Sequence, residues 1–166
     1  MQIKRSTFDN IPAIIEIIND AKEYLASSQI DQWQNGYPNA MQIEQDILQR
    51  ESYVVLNDKN QIVATSMFTT NPEPTYENID GKWIYEETKK YGVIHRMAIK
   101  KEFRKFKYGY KLVENSIQFI ENNLKENNIL ISAQSYLTKF YNSLGFIQIS
   151  EEYLEDDIPH IKMLRT

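Results

Sequence analysis

Between Asn10 and Leu25 the apolar residues Ile14, Ile15, Ile18, Ala21, Tyr24 and Leu25 recur at the spacing of one helix face. Asp9 or Asn10 stands before them as a cap. Pro12 sits in the first turn, where a missing N–H removes no helical bond. From Ser27 to Asn39 the pattern lapses into a polar, breaker-rich stretch that contains Trp33, Gly36, Tyr37 and Pro38. A second helix is predicted from about Met41 to Gln49, with Ile43, Ile47 and Leu48 opposed by Glu44, Gln45 and Asp46. Gln2 to Arg5 reads as a short first strand. Tyr53–Leu56 and Gln61–Phe68 read as two more, around the turn residues Asn57, Asp58, Lys59 and Asn60.

Thr70 to Tyr91 is a long, polar, Pro-punctuated insert, a length that points to a functional loop. A strand from Gly92 to Ile99 follows, then a helix from about Lys107 to Asn123 that buries Leu112, Val113, Ser116, Ile117 and Ile120. Asn128–Ala133 reads as a strand, Ser135–Leu144 as a helix, and Phe146–Ile149 and His160–Leu164 as closing strands. With no repeat, linker or low-complexity tract, residues 1–166 read as a single domain of α/β (α+β) class with a largely antiparallel sheet.

The junction after Ile99 carries the most chemistry. A strand there meets a basic loop and then a helix with a glycine in its first turn, an arrangement that aims backbone N–H groups at an anion. Arg104, Lys105, Lys107 and Lys111 gather at this point in a chain whose net charge is −4. The excess of cations lies where a pyrophosphate would need it.

These residues resemble the signature of the GNAT acetyltransferase superfamily: Arg or Gln, two residues, Gly, one residue, then Gly or Ala, between a strand and a helix that cradle the pyrophosphate of acetyl-CoA. Here Arg104 opens the motif, Lys107 stands at the first glycine and Gly109 at the second. Lysine does not take a positive φ cheaply, so a less tightly wound loop is expected, or a side-chain cation for the phosphate. The block Ala133–Phe146, with Phe140-Tyr141 and Gly145-Phe146, is similar to the family's C-terminal motif. The ending Glu155–Met163 is similar to the last strand of many bacterial members.

The resemblance implies a three-layer αβα sandwich with a mixed, mostly antiparallel central sheet of about six to seven strands. It implies acetyl-CoA as the acetyl donor, with no metal. Main-chain groups of Met97, Ala98 and Ile99 would run beside the pantetheine arm, an N–H polarising the thioester oxygen. Arg104, Lys105, Phe106, Lys107, Tyr108, Gly109 and Tyr110 would hold the phosphates, and Gln134 stands where many relatives carry a cofactor-contacting Asn. Tyr141 is the expected general acid, a phenol able to protonate a departing thiolate. His95 is the candidate base, on a strand face that alternation shares with Val93 and Met97. Some members carry a carboxylate on that strand; Val93 stands near the place here. Trp33 and Tyr37 fall in the loop that forms one wall of the acceptor pocket, and His160 opens the last strand as a further substrate contact.

Composition narrows the alternatives. The chain has 42% hydrophobic and 25% charged residues, ordinary globular usage. The acidic balance disfavours nucleic acid as a partner, and no apolar run reaches the length of a membrane span. With no cysteine and two histidines, disulfides, thiolate sites and a His-rich zinc centre are excluded. Met1–Arg5 lacks a signal-peptide apolar region, and a cytoplasmic location is expected. The expected activity is direct acetyl transfer in a ternary complex to a primary amine of a small molecule, peptide or protein. Exposed edge strands raise the expectation of a homodimer. A catalytically weak CoA-binding or sensory module on the same fold is the competing reading. A nucleotide-binding fold is disfavoured, since neither a P-loop nor a G-x-G-x-x-G pattern occurs.

Overall fold

The computed structural model describes residues 1–71, 90–104 and 107–166. The chain divides into two compact units, Met1–Phe68 with Arg96–Ser116, and Thr69–His95 with Ile117–Thr166.

In the first unit β1 (Gln2–Arg5) pairs antiparallel with β2 (Ser52–Leu56), and β2 with β3 (Ile62–Thr69). The β2–β3 turn is built by Asn57. Its Oδ1 accepts the N–H groups of Lys59 and Gln61 at 2.9 and 3.0 Å, while Asn60 takes the left-handed φ of 58°. Two helices follow β1: α1 (Ile11–Ser27) begins after Asn10, and α2 (Ala40–Leu48) after Asn39, whose Oδ1 accepts the Gln42 N–H at 3.0 Å. Ile14, Ile18 and Ile43 of these helices pack with Val54. The next residue, Val55, packs instead with Val63, Ala64 and Leu112, the last from α3 (Tyr108–Phe119). Both faces of β2 are therefore covered, which explains why all five of its residues are buried where a half-solvated strand would alternate. Truncating a core isoleucine such as Ile14, which is 0% exposed, to alanine would cost about 2–5 kcal/mol.

In the second unit β4 (Gly92–Ile99) begins parallel to β5 (Ile129–Gln134), with Gly92 opposite Ile129 and Val93 opposite Leu130. β5 then pairs antiparallel along its length with β8 (Ile158–Arg165), which also receives β6 (Ile147–Gln148) and β7 (Tyr153–Glu155). Asp156 and Asp157 both have left-handed φ, at 52° and 60°, the twist that a two-residue β7–β8 hairpin requires. Tyr91, Val93, Leu130, Ile149 and Leu164 form this unit's core. At Gly92 a Cβ would lie 2.7 Å from Cγ2 of Ile120, so only glycine admits that approach.

Eight strands lie among the described residues, most pairings antiparallel, against an expectation of six to seven. The additional one is β7, three residues hidden in an acidic stretch that reads as loop. The helix expected over Lys107–Asn123 is α-helical only to Phe119, then widens into a π turn at Ile120–Leu124 and stops at Lys125, φ 60°. Ser135–Leu144 resolves into a 3-10 turn at Ser135–Leu137 and a short α4 (Thr138–Asn142). Of the long insert, residues 72–89 lie outside the described residues.

Candidate functional site

The strand-to-helix junction lies in the first unit. Met97 and Ile99 turn their side chains into the apolar cluster with Val55, Val63 and Leu112, and Ala98 is buried. Inward side chains leave the main chain as the part of this strand that a ligand can use. Lys107 departs from the expectation of a loosely wound loop: its φ is 54°, the left-handed conformation that glycine takes most readily. Its carbonyl accepts the Lys111 N–H at 3.2 Å, so the helix starts immediately after it. The N–H groups of the first turn, Tyr108, Gly109 and Tyr110, have no acceptor within the helix by construction. Tyr108 also packs edge-on to Phe103 at 5.2 Å, whereas Tyr110 is exposed.

Arg104 is engaged by the protein itself. Its Nε donates to the Ile99 carbonyl at 3.0 Å and its guanidinium lies 5.1 Å from the Tyr24 ring centre. Its Nη2 is buried with no hydrogen-bond partner among the described residues, which leaves a cationic donor at the junction unsatisfied. Lys105 and Phe106 lie outside the described residues. A left-handed residue, a helix start and an unsatisfied guanidinium N–H together suit a pyrophosphate, so the residues present fit CoA.

A second feature of this unit is invisible to motif reading. Arg96 on β4 also has a left-handed backbone, φ 51°. Its Nη2 meets Asp46 Oδ1 of α2 at 2.7 Å, and its Nη1 donates to the Tyr37 hydroxyl at 2.6 Å. Gln42 Nε2 donates to the same Asp46 oxygen at 2.9 Å. Both charged side chains are buried, and burial raises the Asp46 pKa more than Arg96 lowers it. A small cavity abuts the pair, with Ser52, Thr65 and Ser66 among its polar lining. Trp33, with φ 66°, lies in the same α1–α2 loop as Tyr37. The left-handed turn at Arg96 also means that simple alternation does not carry from His95 to Met97.

The second unit holds the remaining expected residues. Tyr141 in α4 is half-buried, its ring edge-on to Phe140 and Phe146 at 5.0 and 5.8 Å. Burial pushes its phenol up to about 12, with Tyr136 adding to the effect. Its hydroxyl has no hydrogen-bond partner among the described residues. Gly145, φ 87°, lets the chain reverse so that the Phe146 N–H reaches the Tyr141 carbonyl at 3.2 Å. His95 is half-buried on β4, and Gln134 ends β5, buried, opposite His160. His160 is 2% exposed, with Nδ1 2.8 Å from the Ile158 carbonyl and its ring near Tyr153; this is a residue held inside the sheet.

Beside it lies a polar cluster that no local motif marks. Ser132 Oγ is 2.6 Å from both the Tyr153 hydroxyl and Glu155 Oε2, and the fully buried Lys162 places Nζ 5.1 Å from the Tyr153 ring centre. Burial drives the Tyr153 phenol well above its usual value. The signal that was available is the period-two spacing of Tyr153 and Glu155. Among the described residues no cluster of acidic or histidine side chains is arranged to hold a metal, and no helix is long and apolar enough to cross a membrane.

Comparison with known proteins agrees with this geometry. The family model for the acetyltransferase (GNAT) domain matches residues 21–166. Protein ElaA of Escherichia coli (strain K12) is 36% identical over 73 residues, 44% of this chain and 48% of ElaA. The matched stretch thus spans about half the length of that curated relative. A GNAT-family acetyltransferase structure from Streptococcus agalactiae superposes with a TM-score of 0.80 at 25% identity, covering 99% of this chain and 94% of the other. AAC(6')-Ib in complex with ribostamycin and coenzyme A has a TM-score of 0.68 at 16% identity, over 99% and 92% of the chains, a likeness of fold.

Proposed function

The chain belongs to the GNAT acetyltransferase family, and we propose that it transfers the acetyl group of acetyl-CoA to a primary amine of a small molecule, peptide or protein, by direct attack in a ternary complex. The observation that supports CoA use most directly is Lys107, which holds, at the start of α3, the left-handed turn that glycine takes most readily. Bound acetyl-CoA supplies an activated thioester carbonyl. The first-turn N–H groups of α3, with Arg104 and Lys107, hold the phosphates, and the backbone of Met97–Ile99 orients the arm and polarises the carbonyl oxygen.

Tyr141 gives a proton to the departing thiolate. Its raised pKa keeps the phenol protonated through the neutral range, the state a general acid needs. His95 takes the amine proton, directly or through water. Trp33 and Tyr37 form a wall for the acceptor. The location in which it works is the cytoplasm.

The test is incubation of purified protein with acetyl-CoA and a panel of primary amines, following free CoA thiol and identifying products by mass spectrometry. Acetylated amine with matching thiol release is the expected result. Tight CoA binding without turnover across the panel would instead establish the CoA-binding module. Absence of CoA binding would remove both readings.

A further inference from the structure

We propose that Arg96 is a positioning residue that fixes the α1–α2 loop as a preformed acceptor wall and steadies the β4 backbone just before Met97. The inference rests on the acetyltransferase reading above, and deepens it by naming what sets the acceptor surface.

Three segments meet on one side chain. Arg96 comes from β4, Asp46 from α2 and Tyr37 from the loop between α1 and α2, with contacts of 2.7 and 2.6 Å. The guanidinium side chain is 7% exposed and the carboxylate 3%. A buried ion pair is poor value as a stabiliser, because desolvation offsets the attraction; its best-attested use is to select one arrangement over others. Here the arrangement selected is that of a polar loop. The loop is also tied by Lys22 Nζ to the Pro38 carbonyl at 2.7 Å, by Gln34 Nε2 to the Lys22 carbonyl at 3.1 Å, and by the Ile30 N–H to the Leu25 carbonyl at 2.9 Å. Arg96 adds a planar fork whose two ends engage different elements.

The backbone of the same residue points to a second role. An arginine at φ 51° occupies a region that L-residues rarely enter, and such turns persist only where surroundings over-determine them. The anchored guanidinium is that surrounding. It locks the turn one residue before the Met97–Ile99 segment. One side chain therefore sets both the acceptor wall and the entry to the donor strand.

The two roles separate by substitution. Arg96→Gly removes the guanidinium but keeps the left-handed turn accessible, while Arg96→Ala removes both. Tyr37→Phe removes the hydroxyl that Arg96 Nη1 meets while keeping the ring, and guards against a variant that fails to fold. Each protein is measured for CoA affinity by calorimetry, for KM of acetyl-CoA and of an amine found by the panel, and for hydrogen exchange of residues 28–39. Tyr37→Phe is expected to raise the amine KM about ten-fold, the effect of one hydrogen bond to a charged group, and Arg96→Gly by more, since it also strips the buried Asp46 of its partner, with acetyl-CoA KM within about two-fold in both. Loop amides should exchange faster in both. Arg96→Ala should raise the acetyl-CoA KM as well. Wild-type amine KM and loop exchange in folded Tyr37→Phe and Arg96→Gly would overturn the proposal, as would parallel changes in both KM values in Tyr37→Phe. Wild-type protein that binds no CoA would strike the acetyltransferase reading itself, and the proposal with it.

Discussion

The carbonyl of Lys107 accepts the N–H of Lys111 at 3.2 Å while Lys107 itself sits at φ 54°, so a lysine holds the glycine conformation at the mouth of α3.

That conformation carries a measurable cost. Lys107→Gly and Lys107→Ala both remove the ammonium and differ only in the Cβ, so Gly should be the more stable of the two by about 1 kcal/mol. Chemical denaturation of the pair reads this directly. An alanine variant as stable as the glycine variant would mean that the turn is not left-handed in solution.

Tyr141→Phe keeps the ring contacts to Phe140 and Phe146 and removes the proton donor. Turnover should fall about ten- to a thousand-fold with acetyl-CoA affinity nearly unchanged, within or just below the usual range for general acid catalysis. Since burial lifts the phenol to about 12, its ionisation should cause no alkaline loss of kcat below about pH 10. Wild-type turnover in the variant, measured where chemistry limits the rate, would remove Tyr141 from the mechanism.

Asp46 should leave a mark on stability as a function of pH. Burial raises its folded pKa above the unfolded value near 3.8, against the opposing pull of Arg96 and Gln42 and with the aid of Glu51. The folded protein therefore holds this proton more tightly. The associated stability is fully present below the unfolded pKa and is lost as pH rises through the folded one. The difference in unfolding free energy, wild type minus Asp46→Asn, should fall from about pH 4 upward and then level off. A difference that is flat, or that rises over this window, contradicts the assignment.

Gly145 has φ 87° and a Cβ there would meet nothing closer than the Arg165 side chain at 3.5 Å. Gly145→Ala should thus cost about 1–2 kcal/mol from backbone strain alone, without a steric clash. A thermal melt that moves by less than about 1 °C would show that this turn relaxes.

Local rules were enough for much of the chain. Period-3.6 spacing at Ile14 and Ile18, and again at Ile43 and Ile47, the helix start at Asn10, and the Asn57–Asn60 turn are decided within a few residues, so they are legible as letters. The junction at Arg104–Gly109 and the Phe140-Tyr141 and Gly145-Phe146 pairs were legible because a strand-to-helix turn and a chain reversal impose short, fixed spacings. What no spacing reveals is contact between distant positions. Arg96 reaches Asp46 across 50 residues and Tyr37 across 59, and Ser132 meets Tyr153 across 21. Lysine in the left-handed region at Lys107 runs against local preference, and β7 is too short to show a period. The sequence by itself determined most of the elements, the family likeness and the basic strand-to-helix junction, because these depend on neighbours along the chain. The buried charges and the left-handed backbone of Arg96 were decided only by tertiary structure, where partners brought from far away offset a cost that local chemistry alone would refuse.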